Sequence, residues 1–127
     1  MTSPNNHMKR AIDLSRSNME RGAGGPFGAV IVKDGKVIGE GWNKVTSNND
    51  PTAHAEVEGI REACKNLGSF DLSGSEIYTS CEPCPMCLAA VYLAHISKIF
   101  FANTKKDAAK IQFDDDFIYQ EIPKPIA

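Results

Sequence analysis

Two short segments constrain this chain more than any others. His54-Ala55-Glu56 and Cys84-Pro85-Met86-Cys87 each sit where the sequence predicts the first turn of a helix. An imidazole nitrogen and two thiolates suit a borderline-soft ion such as zinc, and three protein ligands leave the fourth tetrahedral position for a water. Any fold must therefore bring two helix N-termini, far apart in sequence, to one point. Inside a helix, residues i and i+2 point about 200° apart. His54 and Glu56 can thus share a site only beyond the N-terminal end, in the first turn. There both helices aim positive dipole ends and unpaired N–H groups at the site.

The remaining elements must carry those two helix starts. Met8, Ile12, Leu14 and Met19 approximate a one-sided helical period, which predicts an opening amphipathic helix over 8–19. The stretch from Gly22 to Gly28 is glycine-rich but lacks the Gly-Lys-Ser/Thr ending of a phosphate loop, and reads as a flexible entry to a strand. Strands over 27–33 and 36–42 flank Asp34-Gly35, a two-residue hairpin signal. Residues 45–50 read as loop. Asp50-Pro51 reads as an N-cap followed by proline at the first helical position, with Val57, Ile60, Cys64 and Leu67 facing a sheet and Gly68 as the stop. A strand over 76–80, a helix from Pro85 to about Ala94 and a strand over 98–102 complete the order. That order calls for a mixed sheet with helices on its faces. Further on, 107–111 reads as a short helix, Asp114 to Asp116 form an acidic run, and Pro123 and Pro125 make an extended end.

Composition narrows the function classes. A chain of 127 residues, 42% hydrophobic and 24% charged, matches one globular domain spanning 1–127. Fourteen Lys and Arg against sixteen Asp and Glu give a net charge of -2, which argues against a nucleic-acid partner. The longest apolar run, Cys87 to Ala94, is eight residues long, far short of the roughly 20 needed for a membrane span. A polar start at Met1 to Arg10 lacks the apolar core of a secretion signal. The expected location is the cytoplasm, where the four cysteines serve as thiols or metal ligands rather than disulfides.

In chemical terms, zinc brings the pKa of a bound water toward neutrality, and Glu56, near but not ligating, can take that proton and return it to a ring nitrogen and a departing amine. Those are the parts of a hydrolytic deamination. His54-Ala55-Glu56 with Pro83-Cys84-Pro85-Met86-Cys87 matches the zinc-dependent base deaminase signature. The chain resembles the cytidine and deoxycytidylate deaminase superfamily. Within it, Gly25-Pro26-Phe27-Gly28-Ala29, the run from Asn48 to Glu56, the run from Tyr78 to Cys87 and Phe113-Asp114-Asp115-Asp116-Phe117 look most like the bacterial guanine deaminases.

The resemblance covers nearly the whole chain and implies a three-layer α/β/α sandwich around a mixed sheet. It implies one Zn2+ per chain on His54, Cys84 and Cys87, proton transfer by Glu56, a hydrogen bond from Asn43 to a purine, packing of Phe27 on its ring, and selection of guanine by Asp115. The implied reaction is guanine to xanthine plus ammonia. Guanine deaminases of this type continue past the point where this chain stops, with a further strand and a helix exchanged between subunits. The segment 117–126 is the remaining candidate for such a contact, and a homodimer is expected.

Blander readings stand beside these. Phe27 is equally a core aromatic, Asn43 a turn residue, and the acidic run a solvated loop. His7 reads as part of a mobile terminus, His95 as a partner of a helix dipole, Cys64 as packing, and Cys81 as a buried small hydrophobe. Cys64, Cys81, Cys84 and Cys87 together also imitate a structural zinc or iron-sulfur module, which would need neither His54 nor Glu56. Within the enzymes the alternative is a tRNA adenosine deaminase, whose substrate demands a basic surface that the net charge does not offer.

Overall fold

The computed structural model describes residues 4–20 and 27–103. The glycine-rich loop, apart from Phe27 and Gly28, and everything expected beyond 103, including Asp115, lie outside the described residues. The elements are α1 (Pro4–Glu20), β1 (Gly28–Lys33), β2 (Lys36–Trp42), α2 (Val45–Asn48), α3 (Ala55–Leu67), β3 (Ser75–Cys81), α4 (Pro85–Leu93) and β4 (Lys98–Asn103). The four strands form one sheet in the order β2-β1-β3-β4. β1 is antiparallel to both β2 and β3, whereas β3 and β4 are parallel and joined through α4, so the sheet is mixed.

The hairpin closes as the Asp34-Gly35 signal requires: both residues have positive φ, 52° and 78°, which matches the right-handed twist of the flanking strands. The β1–β2 register shifts between Ile31 and Val32, where a bulge bends the pair. Alternation along the strands sends Ala29, Ile31 and Ile77 into one core cluster with Ala55, Ala63, Leu72 and Val91. Val30, Val32 and Tyr78 go into a second with Ala11 and Leu14. One face of the sheet thus carries α3 and α4 and the other carries α1, giving three layers.

The expected helix faces hold in part: Leu14 of α1 is buried and Ile60 and Cys64 of α3 pack against the core cluster, but small residues lie deepest. On α3 the buried residues are Ala55, Glu56, Gly59 and Ala63, while Val57, Ile60 and Cys64 are half-buried and Leu67 is exposed. On α1 they are His7, Ala11, Leu14 and Ser15. The reason is backbone proximity. A Cβ on Gly39 would lie 2.5 Å from the Gly59 carbonyl oxygen, and one on Gly41 would overlap the Ala55 carbonyl. A Cβ on Gly28 would likewise overlap the Ala11 carbonyl on the opposite face. Glycine in the strand and small residues on the helix let the two backbones touch, which bulky side chains would prevent.

Three local expectations are corrected. Residues 45–48 form the short helix α2 rather than loop. Asp50 does not cap α3: its Oδ1 accepts from the Thr52 N–H (2.8 Å) and hydroxyl (2.6 Å), closing a turn of its own, and α3 begins at Ala55. His7 belongs to α1, where it is 3% exposed with its ring 5.2 Å from that of Tyr78. The α3 stop holds, with Gly68 left-handed at φ 70°. Among the described residues, no helix is long and apolar enough to cross a membrane.

Candidate metal centre and active site

Sheet topology places the site. The start of β1, the ends of β2, β3 and β4, and the N-termini of α3 and α4 all lie at one end of the sheet. His54 is the N-cap of α3, with extended φ −72° and ψ 156°, and so stands just off the helix. That resolves the i, i+2 problem: Glu56 is in the first turn of α3, His54 is not, and both can face the space beyond the helix end. Cys84 caps α4 in the same extended conformation, with Pro85 at the first helical position and the Cys87 N–H donating to Cys84 Sγ at 3.5 Å.

The ligand-type atoms converge. His54 Nδ1 lies 3.5 Å from Cys84 Sγ and 3.5 Å from Cys87 Sγ, and all three atoms are within 4.8 Å of one another. Zinc bonds of about 2.0–2.1 Å to nitrogen and 2.3 Å to sulfur at a tetrahedral angle put N and S about 3.6 Å apart. The triad therefore fits such an ion. Among the described residues this is the one group of three or more metal-ligating side chains so arranged, and it includes neither Cys64 nor Cys81. The four-thiolate module is not assembled. Cys64 is half-buried against the core cluster, and burial pushes its thiol up, as expected of a packing residue. Cys81 ends β3 but is half-buried rather than buried.

Electrostatics fit the same picture. The Cys87 thiol, donating to Cys84, and then His54 bring Cys84 down to about 4. Cys87 is pushed up, first by that same bond and then by burial, so the two sulfurs share one proton. A divalent cation on the triad would displace that proton, because metal binding takes the thiolate. Glu56 is 8% exposed, and burial raises its carboxyl to about 7 against the donation of its own backbone N–H. It sits beside the triad without belonging to it.

The residues expected to contact a base adjoin this centre. The Asn43 N–H donates to the Phe27 carbonyl at 3.2 Å, and the Lys44 N–H to the carbonyl of Ala53, next to His54, at 2.9 Å. Phe27 is half-buried and packs partly on the core. Asn43 Oδ1 accepts from the Val45 N–H at 2.9 Å, so its acceptor holds the start of α2. The side-chain amide Nδ2 is the group left for a ligand. His95 is remote from the triad in this sense: it lies past α4 with φ 63° and its Nδ1 is 3.3 Å from Asp71 Oδ1.

With this geometry in place, residues 1–103 match the family described as the cytidine and deoxycytidylate deaminase zinc-binding region. The chain belongs to that deaminase family. It is 58% identical over 118 residues to the guanine deaminase of Bacillus subtilis, covering 93% of this chain and 76% of the relative. The X-ray structure of guanine deaminase from that organism superimposes with a TM-score of 0.96 at 56% identity, over 98% of this chain and 79% of the other. A tRNA-specific adenosine deaminase of Buchnera aphidicola is 41% identical over 88 residues, 69% of this chain and 58% of the relative. Members of this deaminase family are zinc-dependent aminohydrolases, and the three-layer arrangement around a mixed sheet is theirs.

Proposed function

We propose that this deaminase acts on a free purine base, converting guanine to xanthine and ammonia, with zinc on His54, Cys84 and Cys87. The observation that carries the reading is the 3.5 Å approach of His54 Nδ1 to both thiols beside a buried Glu56 that is not part of the triad. Bound zinc would supply Lewis-acid activation of water near neutral pH. Glu56 takes one proton from the attacking water and passes it to the ring nitrogen as the water oxygen bonds to the carbon bearing the exocyclic amine. The same carboxylate then takes the second proton from the new hydroxyl and passes it to the amine, the C–N bond breaks as the carbonyl forms, and ammonia leaves.

Phe27 offers an aromatic face to a flat base, and Asn43 a donor from Nδ2. Asp115, outside the described residues, supplies an acceptor for purine N–H groups. Guanine is preferred to tRNA on the 58% identity to a guanine deaminase and on the net charge of -2. A panel of guanine, adenine, cytosine, cytidine and a tRNA anticodon stem, read by ammonia release, tests this. Guanine should lead, and Asp115→Ala should weaken guanine turnover more than turnover of other bases. A tRNA preference would transfer the assignment to the adenosine deaminases.

Two further properties belong to the same reading. The protein works in the cytoplasm, as its four free thiols suit a reducing compartment. It assembles as a homodimer, in which a second copy covers the apolar surface of α4, where Tyr92 and Leu93 are 72% and 81% exposed. Light scattering that finds a monomer at working concentrations with full activity would contradict the dimer.

A further inference from the structure

We propose that Ser80 is the positioning residue that ties the base-contacting residues to the metal-holding loop. This rests on the reading of Phe27 and Asn43 as base contacts. The β1–β3 ladder ends at the pair Ala29 and Thr79. One step further, the Gly28 N–H points toward β3 and donates to the hydroxyl of Ser80 at 3.0 Å, in a buried setting. A side chain thus continues the pairing where the backbone ladder stops.

The consequence follows along the chain. Gly28 cannot carry a side chain to anchor itself, because α1 lies against it at Ala11. Phe27 precedes it, and its carbonyl accepts from the Asn43 N–H, while Asn43 Oδ1 accepts from the Val45 N–H. Ser80 itself sits at the end of β3, four residues before Cys84. One hydrogen-bonded line therefore runs from the strand that delivers the thiols, through Gly28 and Phe27, to the amide of Asn43. Without the hydroxyl, a buried N–H loses this acceptor and the Phe27–Asn43 pair can shift relative to His54 and Cys84. In this scheme Ser80 acts through Gly28, Phe27 and Asn43.

Steady-state kinetics on guanine test it, with zinc content and melting temperature measured on every variant. Ser80→Ala should raise KM by about 3- to 10-fold, the scale of one neutral hydrogen bond, with kcat little changed and one zinc retained. Ser80→Thr, which keeps the hydroxyl, should restore KM. In a Phe27→Ala background the Ser80→Ala effect should shrink, because the two act along one line. An unchanged KM, a kcat loss in step with zinc loss, or full additivity with Phe27→Ala would overturn the proposal. If Ser80→Ala does not fold, Ser80→Cys, similar in shape but a weaker acceptor, is held to the same criteria. Phe27→Ala that leaves KM for guanine untouched would instead overturn the base-contact reading on which Ser80 depends.

Discussion

His54 Nδ1 stands 3.5 Å from Cys84 Sγ, joining the N-cap of α3 to the N-cap of α4. Neither residue is inside its helix. Each is held in extended backbone at the helix mouth, and at α4 the Cys87 N–H donating to Cys84 Sγ and the helix dipole favour thiolate over thiol.

That convergence predicts the metal stoichiometry. Purified protein should carry one zinc per chain, and Cys84→Ala should lose it, while Cys64→Ala and Cys81→Ala keep it. Metal analysis of the three variants decides. Full zinc in Cys84→Ala together with loss in Cys81→Ala would assign the ligands to the wrong thiols.

Glu56→Gln should retain both zinc and fold but turn over guanine about 100- to 10,000-fold more slowly, since an amide of equal size cannot cycle a proton. Retained turnover in a zinc-loaded variant would remove Glu56 from the mechanism.

The glycine-to-helix contacts predict a stability effect away from the chemistry. Gly41→Ala would drive a methyl into the Ala55 carbonyl at the start of α3. The expected cost is about 1 to 3 kcal/mol in chemical denaturation. Because Ala55 adjoins His54, weaker zinc affinity should accompany it. A fully stable Gly41→Ala would mean the two backbones are further apart than described.

Acid behaviour follows from Asp50. The Thr52 hydroxyl and then the Thr52 N–H hold its carboxyl below the ordinary carboxylate range. A depressed acid contributes stability above its unfolded pKa and loses it as pH falls through the folded value. Asp50→Ala should therefore be less stable than the parent near neutral pH, with the difference shrinking on acidification. Urea midpoints across an acid titration measure this, and a gap that widens toward low pH would reverse the assigned sign.

The convergence of His54, Cys84 and Cys87 is legible in the sequence because it is written as residue types at helix starts. Helix faces were harder to read. Apolar periodicity points to Val57, Ile60, Cys64 and Leu67; Ile60 and Cys64 do pack against the core, but Ala55, Gly59 and Ala63 lie deepest and Leu67 is exposed. The useful signal was the pair Gly39 and Gly41 in β2, which marks a strand that a helix backbone can touch. Asp50-Pro51 looked like a cap because Asp followed by Pro serves equally in a turn, and Thr52 tipped it that way. The engagement of Asn43 Oδ1 by the Val45 N–H depends on α2, a helix of four residues with no apolar period to announce it.

The most direct test of the account is ammonia release from guanine during zinc titration of chelator-stripped protein. Turnover should be absent without metal, rise in proportion to zinc, and level off at one ion per chain, with Cys87→Ala flat throughout. Guanine turnover that persists in zinc-free protein, or one bound zinc per chain with no ammonia from guanine, would contradict it.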